Sequence, residues 1–170
     1  MDGEALFDGL YILEADVSCK LVFTTNLSLA GGSSCFSSTF SALAGNASSI
    51  DIIDYVPITT TAGIPFAIQP RVCLVDKGKN ILRNESRLQV RVSIGRNPTG
   101  GSLSPANRLV ATLQQGVAQF KHLLIGAAGQ GYVLCFTLVE ADGITIPNLA
   151  KINTCGKPNI FCLWHSHSAT

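Results

Sequence analysis

Charge is what this sequence has least of. Asp, Glu, Lys and Arg make up 14 % of its 170 residues, where an average soluble domain has about 25 %. The two signs nearly cancel, leaving a formal net charge of +1. So sparse and balanced a set excludes the electrostatic footprint of a nucleic-acid binder or of a protein held on an anionic membrane surface. No apolar run approaches the ~20 residues of a membrane span, so no membrane span is expected. The opening MDGEALFDGL has neither the basic start nor the apolar stretch of a secretory leader. Convincing helical periodicity is missing as well. RLVATLQQGVAQF imitates it, but Gly116 and the β-branched content argue against a helix.

Motifs for chemistry are equally scarce. There is no Gly-rich phosphate loop opening a helix, no nucleophile elbow and no basic patch interleaved with aromatics. His165-Ser-His167 has a spacing that puts two imidazoles on one side of a strand, but no third ligand lies within reach in the sequence. Asp51, Asp54 and Asp76 are too dispersed for the six to eight oxygens that calcium demands, and read as solvated or capping carboxylates. His122, beside Lys121 in a stretch that reads as a strand, is a surface residue on this reading. No catalytic residue, metal site or cofactor is therefore expected, and the chain is not read as an enzyme.

What is present is apolar and β-forming. Hydrophobic residues reach 46 %, enough for a core. The remaining surface must be polar through Ser, Thr, Asn and Gly, through sugar, or be covered by other protein. Six cysteines, Cys19, Cys35, Cys73, Cys135, Cys155 and Cys162, fit three disulfides in an oxidising compartment, with pairing open. Three N-glycosylation sequons start at Asn26, Asn46 and Asn84, all in polar or turn-like stretches; Asn97-Pro-Thr99 is excluded by its proline. Cysteines and sequons together point to an extracellular or cell-surface glycoprotein. With no leader at its start, residue 1 is then expected to be an internal position of a longer product.

The strands are legible from alternation. In LQVRVSIG, Leu88, Val90, Val92 and Ile94 share one face, with Gln89, Arg91 and Ser93 on the other. RLVATL groups Leu109, Ala111 and Leu113. YVLCFTLV is apolar on both faces, as in a central strand. PFAIQPRVCLVD reads as two short strands broken at Pro70. DKGKN, NPTGG and AAGQG are turns. Short strands at this spacing predict an all-β sandwich.

One further pattern organises the chain. GVAQFKHLLIGAAGQGYVLCFT (116–137) repeats GEALFDGLYILEADVSCKLVFT (3–24) at a constant offset. Gly116 matches Gly3, Ala118 Ala5, Phe120 Phe7, Leu123 Leu10 and Ile125 Ile12; Ala128 matches Ala15, Leu134 Leu21, Phe136 Phe23 and Thr137 Thr24. An internal repeat of this kind marks a modular array. The first copy holds only the late strands of its unit, so the expected division is residues 1–56, the end of one repeat with a Ser-rich linker, and residues 57–170, a sandwich with a cysteine-containing tail.

Ala62-Gly-Ile-Pro-Phe-Ala-Ile-Gln-Pro70, the following RVCLVDKGKNIL, and GVAQFKHLLIGAAGQGYVL carry a resemblance. They resemble the tandem immunoglobulin-like repeats, of the bacterial type, found in large extracellular surface proteins. In those repeats an Ala-Gly-x-Pro-Phe opening leads to a strand ending Val-x-Asp, and Ala-Gly-x-Gly-Tyr comes late. The resemblance covers about half the chain and implies an all-β, immunoglobulin-like sandwich plus the late strands of a second, incomplete repeat. It implies a structural, adhesive or spacer role. Gly129 and Gly131 are expected to form a tight turn before the strand opened by Tyr132, whose hydroxyl would bond the adjacent corner. Tyr132, Leu134, Phe136 and Leu138 should face inward and Cys135 outward; likewise Val72 and Leu74 inward and Cys73 outward. Two outward cysteines on opposite sheets argue against a Cys73–Cys135 bridge through the core. Cys155 and Cys162, around Gly156 and Pro158, fit a small disulfide loop instead.

Three roles follow. The first is a structural subunit of an extracellular fibre or surface coat, N-glycosylated and assembling with neighbouring copies or adjacent repeats, head-to-tail strand donation being one route. The second is an adhesin or receptor module recognising a protein or glycan through loops such as NPTGG. The third is an accessory domain of a secreted hydrolase.

Overall fold

Alternating apolar residues between turn clusters build strands here, and the chain is all-β. The computed structural model describes residues 4–26, 32–139, 152–156 and 160–163. The strands are β1 (Ser18–Cys19), β2 (Val22–Thr24), β3 (Ser34–Phe36), β4 (Phe40–Ser41), β5 (Ser49–Asp54), β6 (Thr59–Thr61), β7 (Arg71–Val75), β8 (Gln89–Arg96), β9 (Leu103–Ser104), β10 (Val110–Thr112), β11 (Val117–Gln119), β12 (Leu124–Ile125), β13 (Gly129–Val139), β14 (Asn153–Cys155) and β15 (Ile160–Leu163). Among the described residues no helix is long and apolar enough to cross a membrane.

Two sheets make a sandwich from Ser49 onward. One runs β11-β7-β5; the other runs β10-β8-β13-β15-β6, with β14 also on β13. Pairing is antiparallel except between β15 and β6, which run parallel. The core lies between the sheets. Ile50, Val72, Leu74 and Ala118 enter it from one sheet, and Val90, Val92, Tyr132, Leu134, Phe136, Leu138 and Ile160 from the other. Each Val, Leu, Ile or Phe among them, fully buried, contributes about 1.5–3 kcal/mol. On β8 the alternation holds: Leu88, Val90 and Val92 are buried while Arg91 and Ser93 are exposed. β13 sits between β8 and the β14–β15 edge, which explains why its outer face is half-buried as well.

Several expectations shift. Ser49–Asp54 was expected in the linker but is a sandwich strand, paired with β7, and Ile50 is in the core. The boundary near residue 56 therefore moves to before Ser49. Residues 65–70 form no strand, because the Gln69 side chain takes the place of a ladder: it donates to the carbonyls of Phe66 (2.9 Å) and Leu123 (3.2 Å) and accepts from Leu123 N–H (2.8 Å). GVAQFKHLLI is two short strands, β11 and β12, with His122 at a positive φ of 58° in the turn between them and not in a strand. Gly129 and Gly131 lie inside β13 and not before it. Gly131 (φ 81°) marks a register shift against β15, and a Cβ on Gly129 would come within 2.8 Å of Thr99.

Candidate functional site: an open edge beside a complete one

The two copies found in the sequence have the same geometry. Phe120 and Phe136 meet with ring centroids 5.6 Å apart, tilted 47°. Their counterparts Phe7 and Phe23 meet at 5.3 Å and 48°. His122 and its counterpart Gly9 both take positive φ, 58° and 67°. In the second copy, β13 pairs with β15 and then with β14, skipping Val133 and Leu134. In the first, β1 pairs with β4 and β2 with β3, skipping the equivalent Lys20 and Leu21. At that break Gly156 N–H donates to Leu134 O (2.9 Å), and Ser37 N–H donates to Leu21 O (3.0 Å). Repeat and fold therefore coincide at the aromatic contact, the turn and the break in pairing, while the positive φ of Gly131 (81°) falls two positions later in the unit than that of Asp16 (61°), the counterpart of Gly129.

Their surroundings differ. Phe120, Leu123 and Ile125 are 1 %, 0 % and 0 % exposed, whereas Phe7, Leu10 and Ile12 are 59 %, 64 % and 42 % exposed. No buried core residue among those described precedes Ile50. Leu10, Ile12, Leu21, Phe40 and Leu43 line an apolar groove on this uncovered face. The outer edge of β13 is covered by β8 from Val133 to Val139. Among the described residues, β1 and β2 pair only with β4 and β3, so the same edge is open in the first copy.

A polar clamp holds the open copy against the sandwich. Asp76 accepts from Gly45 N–H (2.8 Å), from Asn80 N–H (2.9 Å) and from the Asn80 amide (3.0 Å). That amide also donates to Leu13 O (2.6 Å), while Asn80 Oδ1 accepts from Ala15 N–H (2.9 Å). The Asn80 amide first, then the two backbone donors, hold the Asp76 carboxyl down at about 2. Gly78 serves close approach, since a Cβ there would stand 2.2 Å from Leu13 O; the positive φ of the turn falls on Lys79. In the sequence DKGKN shows only as a turn. The Asp and Asn at its two ends were the visible signal, but their partners lie more than sixty positions away along the chain for Leu13 and Ala15.

The cysteines separate into one bridge and four thiols. Cys135 and Cys155 are directly opposite on β13 and β14 and form a disulfide, Cα–Cα 4.0 Å. Cys19, Cys35, Cys73 and Cys162 are free, so the expected framework of three bridges is not present. The expected Cys155–Cys162 loop is not formed: Cys155 is exposed and bonded to the half-buried Cys135, whereas Cys162 is buried, its Sγ 4.0 Å from Ile125 O. Cys73 lies on the outer face of its strand as expected but is buried, since Asp51 and Val117 flank it on both neighbouring strands. Burial, and then the Asp51 carboxylate, raise the Cys73 thiol; burial raises Cys162. Cys19 faces Phe40 and Cys35 faces Phe23 in the register, so they are not opposite each other. Gly95 is fitted to the bridge, as a Cβ there would lie 2.3 Å from Cys135 Sγ.

The remaining candidates are structural in their contacts. Tyr132 is buried; its hydroxyl donates to Ala127 O (3.0 Å) and lies against the Thr99 hydroxyl, which donates to Ala128 O (3.0 Å). Asp51 pairs with Lys79 and Asp54 with Arg71, each at 2.9 Å. Among the described residues no three metal-ligating side chains converge; His165 and His167 lie outside them. Asn26, Asn46 and Asn84 are all exposed. No protein-family model matches the chain, and no curated protein matches it.

Proposed function

We propose that this chain is a structural unit of an extracellular fibre or surface coat, built from tandem immunoglobulin-like repeats and carrying N-linked glycans on Asn26, Asn46 and Asn84. One observation carries the reading: the same two-stranded unit occurs twice, once inside a complete sandwich and once with its edge and apolar face open. An open half of a sandwich is unfavourable unless something covers it, and repeat arrays cover each unit with the next. The strand arrangement supports an immunoglobulin-like unit. β5-β7-β11 faces β8-β13-β15 in the manner of the two sheets of that fold, and Tyr132 braces the corner before its strand. The Cys135–Cys155 bridge suits an oxidising compartment.

The adhesin reading has less support. In the NPTGG loop Asn97 donates to Gly101 O (2.7 Å) and Thr99 is engaged with Tyr132 and Ala128, so its polar groups are committed internally. Electron microscopy of native material tests the proposal. Fibres or a regular coat containing the chain are the expected result; a dispersed monomer at high concentration with the disulfide intact overturns it.

A further inference from the structure

The covered edge of β13 specifies what the open edge lacks. Along β13, Val133 faces Arg96, Leu134 Ile94, Cys135 Ser93, Phe136 Val92 and Thr137 Arg91, all antiparallel. Transposed to the first copy, these positions are Lys20, Leu21, Val22, Phe23 and Thr24. The geometry of β1 and β2 already matches, as the shared aromatic pair and the shared break in pairing show.

We infer that the β1–β2 edge is a docking site for one antiparallel β-strand of another polypeptide, apolar at alternate positions, set in the register that β8 takes on β13. This rests on the structural-array reading above. Backbone hydrogen bonds along the edge supply the attraction, and alternate apolar side chains supply the fit over Leu21 and Phe23. A strand of the β8 kind brings both. Val90 and Val92 point into the core beside Phe136, where Phe23 now stands half-uncovered. A second copy of this hairpin pairing edge to edge serves less well. It would extend the sheet to four strands but bring its own exposed Phe7, Leu10 and Ile12, doubling the uncovered apolar face. Lys20 adds a specificity element. It sits 5.0 Å from the Phe36 ring at the position that faces Arg96 in the complete copy. The docking strand therefore carries an acidic residue there, since like charges directly opposite repel.

The probe is a synthetic peptide of this chain's own residues 87–97, RLQVRVSIGRN, added to the full 170-residue protein and followed by hydrogen exchange. Saturable protection of the edge-facing amides within 20–24, by tenfold or more, is expected. The Arg96→Glu peptide should bind about two- to five-fold more tightly. Register is read separately. In a Cys19→Ser, Cys35→Ser background, Val22→Cys should form a disulfide with the Ser93→Cys peptide at least tenfold faster than with the Val92→Cys peptide. Equal coupling rates, or no protection, overturn the inference. So does protection within 20–24 without peptide that grows with protein concentration, because the occupant is then a second copy. Fibres in native material alongside a failed peptide would leave the array reading standing and remove only this strand assignment.

Discussion

Residues 4–42 and 117–163 contain the same unit in two environments, and the difference separates what local sequence determines from what packing adds. Phe7 and Phe23 find each other at the distance and tilt of Phe120 and Phe136 although only the second pair is enclosed. The hairpin, its break and its aromatic contact are thus properties of the repeated residues. Burial is not; it comes from β5, β7 and β8, which have no counterpart beside the first copy among the described residues.

Equivalent truncations should break this symmetry most. Phe120→Ala is expected to cost about 3–5 kcal/mol in urea unfolding, as a core truncation that leaves a cavity. Phe7→Ala, at the matching position, is expected to cost less than about 1 kcal/mol. Similar losses at both sites would mean that the first copy is enclosed. The disulfide gives the next effect. Only the second copy has it, the first placing Val22 opposite Phe36. Its loss through Cys135→Ala with Cys155→Ala should cost about 3 kcal/mol, from freeing a loop of 20 residues in the unfolded chain. Gly95→Ala should cost about 1–3 kcal/mol by overpacking against Sγ, and little in the double-alanine background. An undiminished penalty there would remove the proposed clash.

Smaller effects concern the joint. Asn80→Ala strands Leu13 O and Ala15 N–H and should cost about 1 kcal/mol locally, seen as faster exchange at Ala15 with β13 unchanged. The clamp is also acid-sensitive. The Asp76 pKa is lowered to about 2 from the model-peptide value of 3.8. Its contribution is therefore complete above the unfolded-state value and is lost as pH falls through the folded one. Faster exchange of Gly45 and Ala15 between about pH 4 and 2 is expected, and Asp76→Asn should abolish that dependence.

Much of this is legible in the sequence. Period-two alternation placed β8, β10 and β13 and the inward faces of Leu88, Val90, Val92, Tyr132, Leu134, Phe136 and Leu138, because a strand buried on one face must alternate. The constant offset located the incomplete copy. β5 was obscured because Asp51 and Asp54 made SIDIID look like a polar joint. Those carboxylates pair on the outer side with Lys79 and Arg71 while Ile50 and Ile52 pack toward the core. The Gln69 clamp replaced a strand expected from PFAIQ, and a side chain bonding a backbone 54 positions away leaves no local trace. The cysteine pairing turned on which residue stands opposite Cys135 across the ladder, and the pairing of β14 with β13 leaves no local trace in the sequence.

Residue-resolved hydrogen exchange on the isolated 170-residue chain tests the central claim most directly. Amides in β13 should exchange only through global unfolding, while the matching amides of β1 and β2 exchange orders of magnitude faster. Equal protection in the two strands would contradict the account, for the first copy would then already be closed.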